Sequence, residues 1–177
     1  MLVIAIFYKY EFFKKILGKV DDATPTEPIF PKENFSIFQL NMPDGFAIAT
    51  VNTAYKNYQN KKCYPFLVGI ELEVLEKNSN GHPGEIEGQR LNEIQTDFEE
   101  LLKQQQTVHS VARVTRYGAR DVMIYIDKPV FSEKAVTYFC NNIRKERKML
   151  LSVQRDESWK SVSIFFNSDK VAGKPGL

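Results

Sequence analysis

The sequence predicts an α+β fold, and three patterns along its 177 residues indicate this class. Apolar and polar residues alternate over residues 66–74, which is the period of a half-buried β-strand. Apolar residues recur every three or four positions over residues 91–102, which is the period of a helix that packs on a sheet. Two apolar runs, 108–115 and 122–126, enclose a polar connector with Gly118, which predicts an antiparallel β-hairpin.

The composition is that of a globular protein, with 43% hydrophobic and 26% charged residues. A formal net charge of +2 creates no general attraction to nucleic acid or acidic lipid, so binding to either would need a local basic patch.

Cys63 and Cys140 are too few for a disulfide framework and favour reduced thiols. The apolar residues 1–8 are too short for a membrane span and lack the features of a signal peptide. We therefore expect a cytoplasmic protein without a transmembrane segment.

We divide the chain into three parts. Residues 1–34 form a leader and a proline-containing linker, residues 35–166 form a single α+β domain, and residues 167–177 form a flexible tail. Within the leader, residues 12–17 before Gly18 predict a short amphipathic helix. Its role stays open between a weak membrane-surface anchor and a segment that packs on the domain or on a neighbouring molecule.

The domain should begin with an extra β-hairpin. Residues 35–40 and 46–51 resemble strands, and the Met-Pro-Asp-Gly sequence between them favours a turn. Residues 51–58 continue as strand or as an irregular arm. The next strand, residues 64–76, should place five apolar side chains on one face and the carboxylates of Glu71 and Glu73 on the other.

Two helices should alternate with the remaining strands, which we predict at residues 107–116, 120–127 and 148–155. Pro83 and the acidic residues that follow favour the start of the first helix, and Ser132 can cap the second. The resulting β-α-β-β-α-β order is that of a ferredoxin-like sandwich, with both helices on one face of the sheet. The helix residues expected to be buried there are Leu91, Ile94, Phe98, Phe139 and Ile143.

The segment after the last strand is ambiguous. Asp156 is a suitable cap for a helix that carries Trp159, Val162 and Phe166, yet residues 162–166 also alternate as a strand would. In either case we expect Trp159 to dock this segment onto the body of the domain and to be structural.

The sequence contains no motif that indicates catalysis. It has no glycine-rich phosphate loop, no nucleophile elbow, and no second His or Cys at ligand spacing from His82 or His109. We therefore predict no cofactor, no metal site and no enzymatic activity, and we interpret His109 as an ordinary strand residue. Glu71 and Glu73 should stand about 7 Å apart on one strand face. We favour a solvent-facing surface over an acid-base pair, because no apolar pocket is predicted to raise either pKa.

The central hairpin carries a basic cluster with aromatic residues among its arginines. Arg113, Arg116 and Arg120, with Tyr117 and Tyr125, could hold a phosphate or a carboxylate, because guanidinium groups bind such anions through two hydrogen bonds. Arginines in an antiparallel sheet commonly pair with acids on neighbouring strands, and Asp121 lies at the same hairpin tip. We favour this salt-bridge interpretation over an anion site.

Several short motifs resemble a known bacterial family, the domain of unknown function 695, over about residues 45 to 166. They are Asn57-Tyr58 before Tyr64-Pro65-Phe66, then Asn80-Gly81-His82-Pro83, Leu91-Asn92-Glu93-Ile94, Val114-Thr115-Arg116-Tyr117-Gly118-Ala119-Arg120-Asp121 and Asp156-Glu157-Ser158-Trp159-Lys160. That family is similar in architecture to the regulator of ribonuclease E activity B, a small cytoplasmic ferredoxin-like protein that binds a nuclease. The resemblance implies an α+β fold and a protein-binding role, and it carries over no catalytic residue. The regulator's acidic character is absent here, which argues against inhibition by mimicry of RNA.

Two functional hypotheses follow. The leading one is a non-catalytic cytoplasmic regulator that binds a protein partner through Glu71, Glu73 and the hairpin tip at Arg116, Tyr117 and Arg120. The alternative is a domain, with or without catalytic activity, that binds a small anion, a nucleotide or RNA through Arg113, Arg116 and Arg120. The sequence leaves the identity of the partner and the oligomeric state open.

Overall fold

The computed structural model describes residues 29–43, 45–129 and 131–166. The helix predicted within residues 12–17 and the tail predicted at residues 167–177 lie outside these ranges. Six strands form one sheet in the order β1-β2-β4-β5-β3-β6, and every neighbouring pair is antiparallel. The strands are β1 (Phe35–Met42), β2 (Gly45–Asn52), β3 (Phe66–Glu73), β4 (Val108–Arg116), β5 (Ala119–Ile126) and β6 (Met149–Arg155). Within the described residues the α-helices are α1 (Glu85–Lys103) and α2 (Glu133–Glu146). The predicted α+β class is therefore confirmed.

Both helices pack on the same face of the sheet. The apolar residues of β3 that alternate in the sequence, Phe66 to Leu72, share one buried cluster with the stripe of α1 and with Cys140 and Ile143 of α2. Of the helix residues expected in this core, four are buried, and Phe139 is partly buried against the cluster. The spacing of apolar residues in the sequence therefore correctly predicts which face of the strand and of each helix points into the core.

A second apolar cluster lies on the opposite face of the sheet. Leu67 of β3 and Tyr125 of β5 contribute to it, and the C-terminal segment covers it with Trp159, Val162, Phe165 and Phe166. The Trp159 ring stacks on Tyr125 with 4.0 Å between centroids, and its Nε1 donates to the Tyr64 carbonyl at 2.9 Å. Burial of about 200 Å² of indole stabilises the fold by roughly 5 kcal/mol. Trp159 is fully buried and docks the segment, as the sequence predicts.

Short 3-10 helices settle the two segments that the sequence left ambiguous. Residues Lys160–Phe166 form a 3-10 helix, so the strand alternative is wrong for this segment. Both carboxylate oxygens of Asp156 cap it, because Oδ1 accepts from the Lys160 N–H at 2.8 Å and Oδ2 from the Ser161 N–H at 2.9 Å. Over residues 51–58 the strand stops at Asn52, and the 3-10 helix Thr53–Tyr55 and a turn follow it. A second 3-10 helix spans Lys61–Cys63.

Two turns place the hairpin tip beside the end of β3. Gly118 has a φ of 73°, which the tight connection between β4 and β5 requires. Gly81 has a φ of 75°, and its carbonyl accepts from the Gly118 N–H at 3.0 Å. The Gly118 carbonyl in turn accepts from the Val74 N–H at 2.9 Å. These bonds fix the hairpin tip against the loop that follows β3.

Candidate functional site

An open groove of about 550 Å³ lies where β3 ends, β4 turns into β5, and β6 begins. Its Glu71 and Glu73 side chains are on the side of the sheet opposite the helices, because they alternate with the core residues Ile70 and Leu72. Its lining includes Glu71, Glu73, Arg116, Tyr117, Lys148 and Leu150. Four of the six residues predicted as binding residues therefore line one surface. We call it the sheet-end groove.

Arg116 is fixed in the sheet-end groove by two carboxylates. Its Nε donates to Asp121 Oδ2 at 2.9 Å, and its Nη2 donates to Glu71 Oε2. Glu71 and Asp121 lie opposite each other on β3 and β5, so one guanidinium reaches both. The favoured salt-bridge interpretation is confirmed for Arg116.

Glu73 is held at the other side of the groove. Its Oε2 accepts from the Lys148 N–H at 3.1 Å, and its Oε1 lies 3.8 Å from Lys148 Nζ. Glu71 and Glu73 are thus engaged by different basic residues. This arrangement suits a charged contact surface better than a pair of carboxyls that exchange a proton.

Exposed apolar and basic side chains complete the groove. Tyr117 is 53% exposed and Leu150 is 64% exposed, so both offer apolar surface to a partner. The Lys148 side chain is 89% exposed, and Arg144 also lines the groove. With Arg116 and Arg147, the lining carries four cationic side chains against the two carboxylates of Glu71 and Glu73. Asp121 and Glu87 pair with Arg116 and Arg147 from beside the groove, so the groove combines apolar contact area with paired charges.

A buried ion pair supports the floor of the groove. Arg147 Nη1 donates to Glu87 Oε1 at 2.6 Å and to the Glu73 carbonyl at 3.0 Å, and both charged side chains are at most 5% exposed. Glu87 also accepts from the Leu75 N–H at 2.9 Å. The pair joins α1, the end of β3 and the start of β6. The sequence indicates Glu87 only as an acidic residue in the first turn of the helix and gives no signal for Arg147, because the two residues are 60 positions apart.

The three hairpin arginines do not form one cluster, so the arrangement expected from the sequence is wrong. Arg113 lies opposite Val122 of the helix-covered core, and Arg120 lies on the same face. Arg113 Nη1 donates to Asn92 Oδ1 of α1 at 2.7 Å, and Arg120 Nη1 donates to the same oxygen at 2.8 Å. Arg116 points to the opposite face of the sheet. A contact surface that includes Arg116 therefore excludes Arg120, which is 6% exposed.

His109 lies in an aromatic environment that the sequence does not predict. This residue is fully buried, and Tyr55 Oη lies 3.0 Å from its Nδ1. The Tyr64 ring is 4.0 Å away between centroids, and the Phe30 ring is 4.9 Å away. Within the described part of the chain, Nε2 has no hydrogen-bond partner. Burial lowers the pKa of His109 to about 4, so the imidazole is neutral at pH 7.

Comparison with known proteins adds one match. The sequence model of a family described as a family of unknown function, DUF695, matches residues 33–166, which is more than half of the chain. Neither the curated proteins nor the solved structures include a match to this sequence. In the ranges that the structure describes, no helix has the length and apolar character needed to cross a membrane.

Proposed function

We propose that this chain, which belongs to the family of unknown function DUF695, is a non-catalytic regulator or binding module that holds a protein partner in the sheet-end groove. The observation that carries the proposal is the composition of the groove. Fixed charges at Arg116 and Glu71 lie beside the exposed side chains of Tyr117 and Leu150. Protein-binding sites typically combine an aromatic or aliphatic contact with a polar rim.

Two side chains of the groove, Arg144 and Lys148, favour a partner segment that carries an acidic side chain. Arg116 and Arg147 are already bonded to carboxylates of this protein. The Arg144 Nε donates to the Met149 carbonyl at 3.3 Å, which is a neutral acceptor, and Lys148 is mostly exposed. A carboxylate that approaches Arg144 and Lys148 would therefore gain charge-assisted hydrogen bonds. The open shape and the volume of about 550 Å³ suit an extended segment of a few residues.

Two finer points belong to the same proposal. We propose that residues 66–155 form a ferredoxin-like unit, which is supported by the strand order β4-β5-β3-β6 and by both helices lying on one face. We also propose a cytoplasmic location, which the free thiols of Cys63 and Cys140 support. The similarity to regulators of ribonuclease E stays a prediction about the class of partner.

Affinity capture with matched surface variants tests the proposal. The tagged protein is incubated with its native lysate, with and without nuclease treatment, and the bound proteins are quantified by mass spectrometry. We expect a stoichiometric partner that resists nuclease and binds the double variant Tyr117→Ala, Leu150→Ala at least about tenfold less. Both side chains are exposed, so the variant should retain the melting temperature of the native protein.

The control is the double variant Tyr138→Ala, Ile86→Ala. These residues are 71% and 77% exposed, lie on α2 and α1, and do not line the groove. We expect this variant to capture the partner as the native protein does. Equal loss in both double variants, or a partner that depends on nucleic acid, would contradict binding in the groove.

A further inference from the structure

The face of the sheet that carries the helices contains an unusual arrangement of two guanidiniums around one neutral oxygen. Asn92 Oδ1 accepts from Arg113 Nη1 at 2.7 Å and from Arg120 Nη1 at 2.8 Å. Arg120 makes its other hydrogen bonds to the Thr115 hydroxyl at 3.2 Å and the Gly88 carbonyl at 3.5 Å. All three acceptors are neutral. Among the described residues, neither guanidinium forms an ion pair with a carboxylate.

The carboxylates that act on these arginines from a distance are engaged elsewhere. The negative charge of Glu87 raises the pKa of Arg120, but the Glu87 carboxylate is bonded to Arg147. The negative charge of Glu99 raises the pKa of Arg113, but the Glu99 Oε1 atom accepts a hydrogen bond from Gln95 Nε2 at 2.8 Å. A buried guanidinium without a counter-charge is unfavourable, and a second one beside it adds repulsion. Neither carboxylate contacts the two arginines, so the site places two positive charges on neutral hydrogen-bond acceptors alone.

The pKa of Arg120 reflects the same environment. Burial, together with the positive charges of Arg113 and Arg147, lowers this pKa to about 10, against the opposing effect of Glu87. Burial also lowers the pKa of Arg113. Both groups nevertheless remain protonated at pH 7, so the two positive charges persist.

The three side chains of the site differ in their exposure to solvent. Asn92 is exposed, Arg113 is half-buried and Arg120 is buried. The oxygen that both arginines share is therefore carried by the most accessible of the three side chains. An exposed asparagine side chain can rotate into solvent and vacate this position. An oxygen from a ligand could then accept the same two hydrogen bonds, and it would bring the missing negative charge.

We propose that Arg113, Arg120 and Asn92 form a binding site for a dianionic phosphate group, either inorganic phosphate or a phosphomonoester. The phosphate oxygens replace Asn92 Oδ1 between the two guanidiniums, and the Asn92 amide nitrogen can donate a further hydrogen bond. Guanidinium groups match the geometry of phosphate oxygens, and each has donors to spare, since Arg113 uses one of its five N–H groups on a described residue. This proposal is independent of the function proposed for the sheet-end groove, because none of these three residues lines that groove.

Thermal unfolding and calorimetry with inorganic phosphate test the proposal. The native protein is titrated with phosphate at pH 7.5, and sodium chloride at equal ionic strength is the reference. We expect phosphate to raise the melting temperature above that in chloride, with a saturable binding isotherm. Glycerol phosphate in a second titration distinguishes the ligand sources: tighter binding than phosphate indicates a phosphomonoester, and weaker binding indicates the free ion. Equal melting temperatures in phosphate and chloride would overturn the proposal.

Three single variants test whether phosphate binding depends on the charges of this site or only on the stability of the fold. Asn92→Asp supplies the missing carboxylate, so it should raise the melting temperature without ligand and abolish the response to phosphate. Arg113→Gln should weaken phosphate binding about tenfold or more, since it removes a charge-assisted contact. Arg155→Gln is the matched control, because this arginine is on β6 and belongs to neither proposed site, and the phosphate affinity of the variant should equal that of the native protein. A lower melting temperature for Asn92→Asp, or equal losses in both arginine variants, would contradict the site.

Discussion

The burial of His109 predicts a specific loss of stability in mild acid. The ordinary pKa of a histidine in the unfolded chain is 6.5, and burial lowers it to about 4 in the folded protein. Between these values the unfolded state binds a proton that the folded state does not. Stability should therefore be fully present above about pH 6.5, decline as the pH falls, and stop changing on this account below about pH 4.

The magnitude follows from the difference of about 2.5 pKa units. At about 1.36 kcal/mol per unit, the full effect is roughly 3 kcal/mol, of which about 2 kcal/mol should be lost between pH 7 and pH 5. The charge of a protonated His109 would have little compensation. The groups packed around it are Tyr55, Tyr58, Tyr64, Trp159 and Phe30, and none of them carries a charge at these pH values.

Urea denaturation at a series of pH values measures this effect. The comparison is with His109→Phe, which retains an aromatic ring in the cluster but cannot titrate. We expect the variant to be less stable at pH 7, because Tyr55 loses its buried partner, and to lose about 2 kcal/mol less than the native protein between pH 7 and pH 5. Parallel curves for the two proteins, or a folded-state pKa near 6.5 for His109 by NMR, would refute the reasoning.

Three further predictions concern stability and are measured by urea denaturation at pH 7.5. Glu87→Gln should destabilise the protein by about 3–5 kcal/mol, because it leaves Arg147 buried without a counter-charge; a loss below 1 kcal/mol would contradict this account of the pair. Gly81→Ala should cost about 1–2 kcal/mol, because φ is 75° and the new Cβ would clash with the Tyr117 ring; unchanged stability would contradict it. Gly88→Ala should instead add about 0.5–1 kcal/mol, because this glycine lies within α1 and no atom lies within 4 Å of the new Cβ.

The fold class and the inward faces of the elements could be predicted because they depend on local periods. The alternation of Phe66 to Leu72 and the stripe of Leu91 to Leu102 correspond directly to the helix-side core. The segment Lys160–Phe166 could not be assigned in this way, because a 3-10 helix has a period of three that a short apolar run does not distinguish from a strand or an α-helix.

The site was predicted less well, although part of the error was avoidable. Residues three apart on a strand point to opposite sides of the sheet. The positions of Arg113 and Arg116 in the sequence therefore already predict that they lie on different faces. The partners Asn92 and Arg147 could not be found from the sequence, because their contacts join elements far apart in the chain. Tertiary packing, which no local pattern encodes, determines which acid or amide each arginine meets.

The most direct test of the proposed function is site-specific photo-crosslinking in the native lysate. The photoreactive residue benzoylphenylalanine replaces Tyr117 in the groove or, in the control protein, Tyr138 on α2; the native tyrosines are 53% and 71% exposed. Crosslinked proteins are identified and quantified by mass spectrometry after nuclease treatment. We predict one dominant protein adduct at position 117 that is absent at position 138 and is competed by the unlabelled native protein. The same set of adducts at both positions, or no protein adduct at position 117, would contradict a partner-binding groove at this end of the sheet.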